Sequence, residues 1–345
     1  MGTDHRTRPA DPSHVTAGRT TMKAVVQDEY GEAEDVMRVE QIGRPVIGDD
    51  EVLIRVHAAG VDRGVWHLTA GLPYPVRLAG YGVRAPRTRV RGREVAGRVE
   101  AIGKTVTTLR PGDEVFGVGE GTFAEYATAT PGRLAPKPAG LTFTQAAAVG
   151  VSALTALQAV RDRGRVRPGQ KVLVIGASGG VGTYAVQIAK AFGAEVTGMC
   201  TTTKVDLVRS LGADHVVDHT RHDVEDAGRR YDVILDIGGN RSLTRLRRAL
   251  TPRGTLVIVG GETGGRWLGG TDRQIRASIL SPFVGQKLGT FICSENAKDL
   301  IVLTELIESG KVTPVIGRTY PLSETPAAIQ HMRDGHARGK IVINV

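Results

Sequence analysis

Apolar positions along the chain follow two rhythms. In the second half, short unbroken apolar runs lead into glycine and are followed by segments with helical spacing. Val172–Ile175 runs into Gly176-Ala-Ser-Gly-Gly-Val-Gly182; Val181, Ala185, Ile188, Ala189 and Phe192 then fall on one helical face, and Gly193 supplies a stop. Glu195–Cys200 reads as the next strand, Lys204–Leu211 as a helix and Val216-Val217 as a short strand. Tyr231–Leu235 and Thr255–Val259 read as buried strands, with a helix over Ser242–Leu250 between them, closed by Thr251-Pro-Arg-Gly254. Strands alternating with helices predict an α/β fold with a doubly wound parallel sheet. The first half differs. Met22–Val26, Val52–Val56, Gly92–Ile102 and Val115–Val118 are short strand patterns separated by turns such as Pro111-Gly-Asp113, which predicts a β-rich domain.

A length of 345 residues exceeds what one core usually supports and predicts two domains. Met1–Thr21 is rich in Pro, Thr, Arg and Gly and lacks the apolar core of a signal peptide; it is expected to be disordered, with Met22 a candidate for an older start. No run approaches the roughly 20 apolar residues of a membrane span, so no membrane partner is expected. Two cysteines, Cys200 and Cys293, make neither a disulfide framework nor a metal cluster and suggest a reducing, cytoplasmic setting. The formal charge of +9 comes without interleaved aromatics or a nucleic-acid motif, which argues against a nucleic-acid partner. One stretch is denser in charge: Arg84, Arg87, Arg89, Arg91 and Arg93 form either a solvated loop or a basic rim that attracts an anionic cofactor or substrate.

The glycine-rich turn carries the candidate chemistry. Glycines bring the backbone close to a pyrophosphate, and the following helix N-terminus offers free N–H groups and the positive end of its dipole. The residue that reads the ribose belongs about 20 residues on, at the end of the second strand. There the chain has Cys200-Thr-Thr-Thr-Lys204, with no carboxylate in the stretch and three hydroxyls and an ammonium suited to a 2′-phosphate. NADPH is therefore expected over NADH, although the threonines also suit capping of the next helix. Glycines after the later strands, in Asp236-Ile-Gly-Gly239 and Gly260-Gly261, fit a backbone lying against the same cofactor.

Taken in order, several motifs resemble the medium-chain dehydrogenase/reductases, and within them the zinc-independent, zeta-crystallin-like quinone oxidoreductases. They are Met22-Lys-Ala-Val-Val26, Ala58-Ala-Gly-Val-Asp62, Gly92-Arg-Glu-Val-Ala-Gly97, Arg110-Pro-Gly-Asp-Glu-Val-Phe-Gly117, Phe123-Ala-Glu-Tyr126, the glycine turn, Leu211-Gly-Ala-Asp214 and Gly339-Lys-Ile-Val342. The resemblance spans about 22–345. It implies a GroES-like β-barrel catalytic domain over 22–145, completed by 308–345, and a Rossmann NADP-binding domain over 146–307.

The resemblance also bears on the site. Zinc alcohol dehydrogenases of the family ligate their metal at positions that here are Asp62, Arg93 and about Val149. Arginine and valine cannot ligate zinc, so no metal is expected. The implied reaction is hydride transfer from NADPH to a quinone, enone or enal. Asp62 and Arg93 would face the reacting centre and pair as a salt bridge, or Arg93 would bind the carbonyl oxygen. Tyr74, in Gly71-Leu-Pro-Tyr74, is the first candidate proton donor and His67 the second; packing at the cleft edge is the plainer role for each. For the cofactor, Gly179, Gly180 and Gly182 form the pyrophosphate turn, Ser178 is a further cofactor-binding candidate beside them, and Val181 packs behind the nicotinamide side. Thr201, Thr202, Lys204, His219 and Arg338 are candidates for the 2′-phosphate, and Gly238, Val259 and Gly260 line the cofactor. Two alternatives stand: an enoyl-thioester reductase of polyketide or fatty-acid type, and a non-catalytic NADPH- or nucleic-acid-binding protein. The segment Glu262–Phe291 shapes the pocket or a subunit contact, and relatives are commonly homodimers.

Overall fold

The short apolar patterns of the first half become strands because each has a face to bury against another. The computed structural model describes residues 20–222, 228–239, 241–261, 265–335 and 337–345. The expectation for 1–21 lies outside them except at its end, where Thr21 already pairs with Gly43. In chain order come β1 (Thr21–Gln27), α1 (Ala33–Val36), β2 (Met37–Gly43), β3 (Val52–Val61), α2 (Arg63–Ala70), β4 (Glu94–Ile102), β5 (Glu114–Val118), β6 (Tyr126–Ala129) and β7 (Leu134–Pro136). Strands β1 and β2 pair with each other, and β3, β4, β5 and β7 follow one another antiparallel in a larger sheet, with β6 added on β3. Val25, Val52, Ile54, Val95, Val99 and Phe123 pack between these layers.

Two helices lead out of this domain. Helix α3 (Phe143–Ala147) opens with a Thr142–Gln145 capping box and packs on β3 and β4; α4 (Gly150–Gln158) packs on the second domain. That domain runs β8 (Lys171–Ile175), α5 (Gly180–Ala191), β9 (Glu195–Cys200), α6 (Val205–Ser210), β10 (His215–Asp218), β11 (Tyr231–Asp236), α7 (Leu243–Ala249), β12 (Leu250–Ile258), α8 (Gly265–Leu268), α9 (Thr271–Leu280), β13 (Lys287–Thr290) and α10 (Ala297–Glu308). Its six strands are all parallel, in the order β10-β9-β8-β11-β12-β13. Connections run outward from β8 in one direction and from β11 in the other. The crevice over the carboxyl ends of β8 and β11 is thus the switch point where doubly wound sheets take ligands. Strand β12 is longer than its apolar run suggested, because Leu250 at its start pairs with Tyr231 and carries the strand through Thr251–Gly254.

The chain then returns. Strand β14 (Ile316–Pro321) and α11 (Thr325–Arg333) lie on the first domain, and β15 (Lys340–Asn344) inserts between β14 and β3. Behind this joint sits a buried ion pair. Lys340, 1% exposed, donates through Nζ to Glu94 Oε2, to Val61 O at 3.0 Å and to Ser152 Oγ at 2.9 Å. The Ser152 amide donates to the other Glu94 oxygen. Burial pushes the Glu94 carboxyl above its ordinary range, with Lys340 pulling the other way.

Candidate functional site

The glycine turn between β8 and α5 is shaped for close approach. Gly176 takes φ +82°, and a Cβ on Gly182 would sit 2.0 Å from Gly176 O, so only glycine lets α5 lie this tightly on the turn. A Cβ on Gly179 would meet only Gly176 O, at 3.5 Å, which leaves that face of the turn open. Gly179 is the N-cap and has no side chain to cap the helix. The first-turn amides of Gly180, Val181 and Gly182 have no carbonyl a turn below them and are available to an anion. The Ser178 carbonyl is used elsewhere: it accepts from Gly339 N at 2.8 Å and brings the returning chain alongside the turn. Gly238 N donates to Ile175 O, and Val259 N and Gly260 N donate to Asp236 O, so all three follow the carboxyl ends of β11 and β12 next to the turn. A Cβ on Gly260 would lie 2.1 Å from Ile237 O. These features fit a nicotinamide dinucleotide.

Beneath this ledge lies a pair that the sequence did not disclose. The fully buried Asp236 accepts from Arg273 of α9 and, at 3.1 Å, from Gly239 N. Burial holds its carboxyl above the ordinary range. The only sequence signal is an Asp closing an apolar strand.

At the end of β9 the structure corrects one expectation. The stretch Cys200–Lys204 holds no acid, yet β10 brings Asp218 beside it: Thr202 Oγ1 donates to Asp218 Oδ2 at 2.5 Å. Thr220 donates to the other oxygen through both its hydroxyl and its amide. These bonds draw the Asp218 carboxyl down to about 2. Thr202 therefore spends its proton on Asp218 and is not the phosphate donor expected. Lys204 Nζ donates to Gly335 O and Ala337 O at 2.8 and 2.9 Å, and Arg338 donates to Thr203 O at 2.9 Å. Neither cation makes an ion pair among the described residues. Burial first, and the Arg338 charge second, push the Lys204 ammonium below its ordinary range. Two cations without an acid between them suit a doubly charged phosphate. His219 is exposed, with its amide on Cys200 O; Thr201 caps the turn into α6 without a side-chain bond.

Between the domains lies a cavity of about 490 Å³ whose lining includes Tyr81, Arg93, Glu120, Arg133, Cys293 and Glu295. A larger one, about 620 Å³, lies between α6 and β10 and shares no lining residue with it. The expected Asp62–Arg93 salt bridge is absent. Asp62 is the N-cap of α2, accepting from Val65 N at 3.1 Å, and its other oxygen is buried without a partner. Arg93 turns instead to Glu295, 2.6 Å away, and lies 3.5 Å from Glu120. The α2 N-terminus takes one Asp62 oxygen, and Glu295 reaches Arg93 from the opposite domain. Val149 is fully buried. The positions matching the zinc ligands thus hold a capping aspartate, a paired arginine and a core valine, which do not fit a metal.

His67 lies in the last turn of α2 and Tyr74 on the strap that follows it. His67 Nδ1 is 2.8 Å from Leu72 O, and burial lowers its pKa. Tyr74 meets Trp267 edge-on, ring centroids 5.1 Å apart, and its amide donates to Arg266 O. Residues 262–264 of the Glu262–Phe291 segment lie outside the described residues; α8 closes over this strap, where a Cβ on Gly269 would strike Pro73. Within the arginine cluster, Arg89 pairs with Asp28 and Glu40, and the buried Arg91 donates to Gln27, Thr88 and Leu68 O. Among the described residues only Arg84 and Arg87 of the cluster remain exposed without a side-chain partner, so the basic rim shrinks to two residues.

Residues 48–139 match the family model described as the alcohol dehydrogenase GroES-like domain, and 211–343 match that of a zinc-binding dehydrogenase. The chain is 34% identical to NAD(P)H oxidoreductase RTN4IP1, mitochondrial, of Mus musculus, over 96% of this chain and 91% of the relative. It is 31% identical to quinone oxidoreductase of Homo sapiens, over 95% and 99%. A solved mycobacterial structure complexed with NADPH superposes with a TM-score of 0.80 at 26% identity, over 94% and 100%.

Proposed function

This chain belongs to the medium-chain dehydrogenase/reductase superfamily, in its quinone oxidoreductase branch, and from that premise we propose that it reduces a quinone or an α,β-unsaturated carbonyl with NADPH and without a metal. It is an oxidoreductase. One observation carries the finer reading. Where a zinc enzyme of the superfamily presents a ligand, this chain presents Arg93, lining a cavity that both domains share.

The bound nicotinamide would supply the hydride. The protein's part is to position the reactants and to meet developing charge. The amides of Gly180, Val181 and Gly182 hold the pyrophosphate, and Lys204 and Arg338, with Thr201 beside them, meet the 2′-phosphate. The guanidinium of Arg93 has five N–H donors, of which Glu295 engages one nitrogen; the others serve the acceptor oxygen as it becomes negative. Tyr74 is the candidate proton donor. We assign His67 to holding the strap through Leu72 O, with no part in proton transfer.

The reading extends to a homodimer, supported by β13 standing at the sheet edge and by Ile292 beside it, 94% exposed. Among the described residues no helix is long and apolar enough to cross a membrane. Two unpaired cysteines support a reducing, cytoplasmic setting, with the organelle in the relative's name as the alternative.

The test is oxidation of NADPH, with NADH in parallel, against a panel of quinones, enones and enoyl-thioesters. Turnover with a quinone or enone is expected. NADPH binding without turnover of any acceptor would sink the proposal.

A further inference from the structure

Four charged side chains face one another across the cleft. Arg93, Glu120 and Arg133 come from the first domain, and Glu295 comes from the loop between β13 and α10 of the second. Arg93 Nη2 lies 2.6 Å from Glu295 and 3.5 Å from Glu120; Arg133 Nη1 lies 3.2 Å from Glu120 and 3.9 Å from Glu295. The four charges sum to zero. All four line the same cavity of about 490 Å³.

The Glu295 side chain is 14% exposed and Arg93 23%, so this pair is poorly screened by solvent, while Arg133 and Glu120, 39% and 57% exposed, form the open end of the cluster. Glu295 is also held in place through its backbone. On one side Ser294 exchanges two bonds with Gln158, its amide donating at 2.9 Å and its carbonyl accepting at 2.7 Å. On the other side Asn296 caps α10 by accepting from Asp299 N. The carboxylate is presented to Arg93 from a fixed frame and not from a loose loop.

We propose that Glu295, seconded by Glu120, determines acceptor specificity: by neutralising Arg93 and Arg133 it keeps the cleft for uncharged quinones and enones and turns away acceptors that carry a carboxylate, sulfonate or phosphate near the reacting bond. This rests on reading the cleft as the acceptor site. An anionic acceptor entering the wild-type cleft meets arginines that already hold carboxylates, and it meets those two carboxylates at close range. With Glu295 removed, the same arginines become an anion site. The arrangement weighs against a thioester acceptor whose phosphates would lie in this part of the cleft.

The experiment compares kcat/KM for paired acceptors: a naphthoquinone with its ring-sulfonated derivative, and an alkenal with an oxoalkenoic acid of the same length. Wild type is expected to favour the neutral member of each pair. In Glu295→Gln the ratio of anionic to neutral kcat/KM is expected to rise by about tenfold or more. Glu120→Gln, at the exposed end of the cluster, should raise it less and in a salt-sensitive way. Glu120→Gln keeps the test informative if the first variant does not fold. A ratio unchanged in the folded variants, with neutral turnover intact, overturns the proposal, as does a wild-type preference for the anionic member. Turnover of neither member by wild type fails the acceptor reading itself, and the intact or absent neutral turnover distinguishes the two failures.

Discussion

The Lys340 ammonium and the Glu94 carboxylate meet where the two domains join, both essentially shut away from water. Each would be costly to bury alone. Lys340 comes from the last strand and Glu94 from β4, while Ser152 on α4 touches both. Lys340→Met leaves the carboxylate without its cation and is expected to cost about 3–5 kcal/mol, read from chemical denaturation. Adding Glu94→Gln to it should recover part of the loss. A double variant no better than the single would mean that packing of the Lys340 stem, and not charge, is what matters.

Two glycines of the phosphate turn should fail in different ways. Gly182→Ala drives a Cβ into Gly176 O and is expected to destabilise the fold by about 1–3 kcal/mol or more. Gly179→Ala meets almost nothing in the protein and should leave stability within about 1 kcal/mol. It fills the open face of the turn, so cofactor affinity should fall by about tenfold or more. Fluorescence titration with NADPH beside a melting curve separates the two effects.

Lys204 and Arg338 bear on the choice between NADPH and NADH. Removing one charge-assisted contact to phosphate costs about 1.5–3 kcal/mol, so Lys204→Ala or Arg338→Ala should weaken NADPH binding by roughly ten- to a hundredfold. NADH affinity should hardly move. Asp218→Asn releases Thr202 and removes a nearby negative charge, and should favour NADPH severalfold. Equal losses for both cofactors in the Lys204 variant would instead assign that side chain to tying Gly335 and Ala337 in place.

His67 predicts a pH dependence. Burial lowers its pKa in the fold, so below the ordinary value of about 6.5 the unfolded chain takes up the proton first. The group's contribution to stability is complete above that value and is lost on acidification, by about 1.4 kcal/mol per pH unit, until the lowered folded value is reached. His67→Gln should flatten the stability profile in that window while leaving the pH profile of turnover in place. A shifted turnover profile would return His67 to the proton path.

The phosphate turn was legible because its signal is local: an apolar strand, glycines and an amphipathic helix are contiguous in the chain, and the fold only confirms their order. Asp62 was half legible. An aspartate opening a helical segment is an ordinary cap, yet its match to a metal-binding position points instead to a pairing with Arg93. The partner Arg93 takes, Glu295, lies in a stretch with no motif, and only the closing of one domain on the other brings it near. Asp218 was hidden for a related reason. Parallel strands set the ends of β9 and β10 side by side, so a carboxylate missing from one strand end is supplied by the next. Helix α9 gave no sign that Arg273 would reach Asp236, since its other arginine, Arg276, points to water and to Asp272 on its own helix.

The placement of β15 has a consequence for synthesis. A ribosome finishes the nucleotide-binding domain before it makes the strand that slots between β14 and β3. Until then the earlier domain carries an open seam along β3, and Glu94 has no cation. The half of the protein made first is therefore the half completed last: its seam along β3 stays open until β15 has left the ribosome.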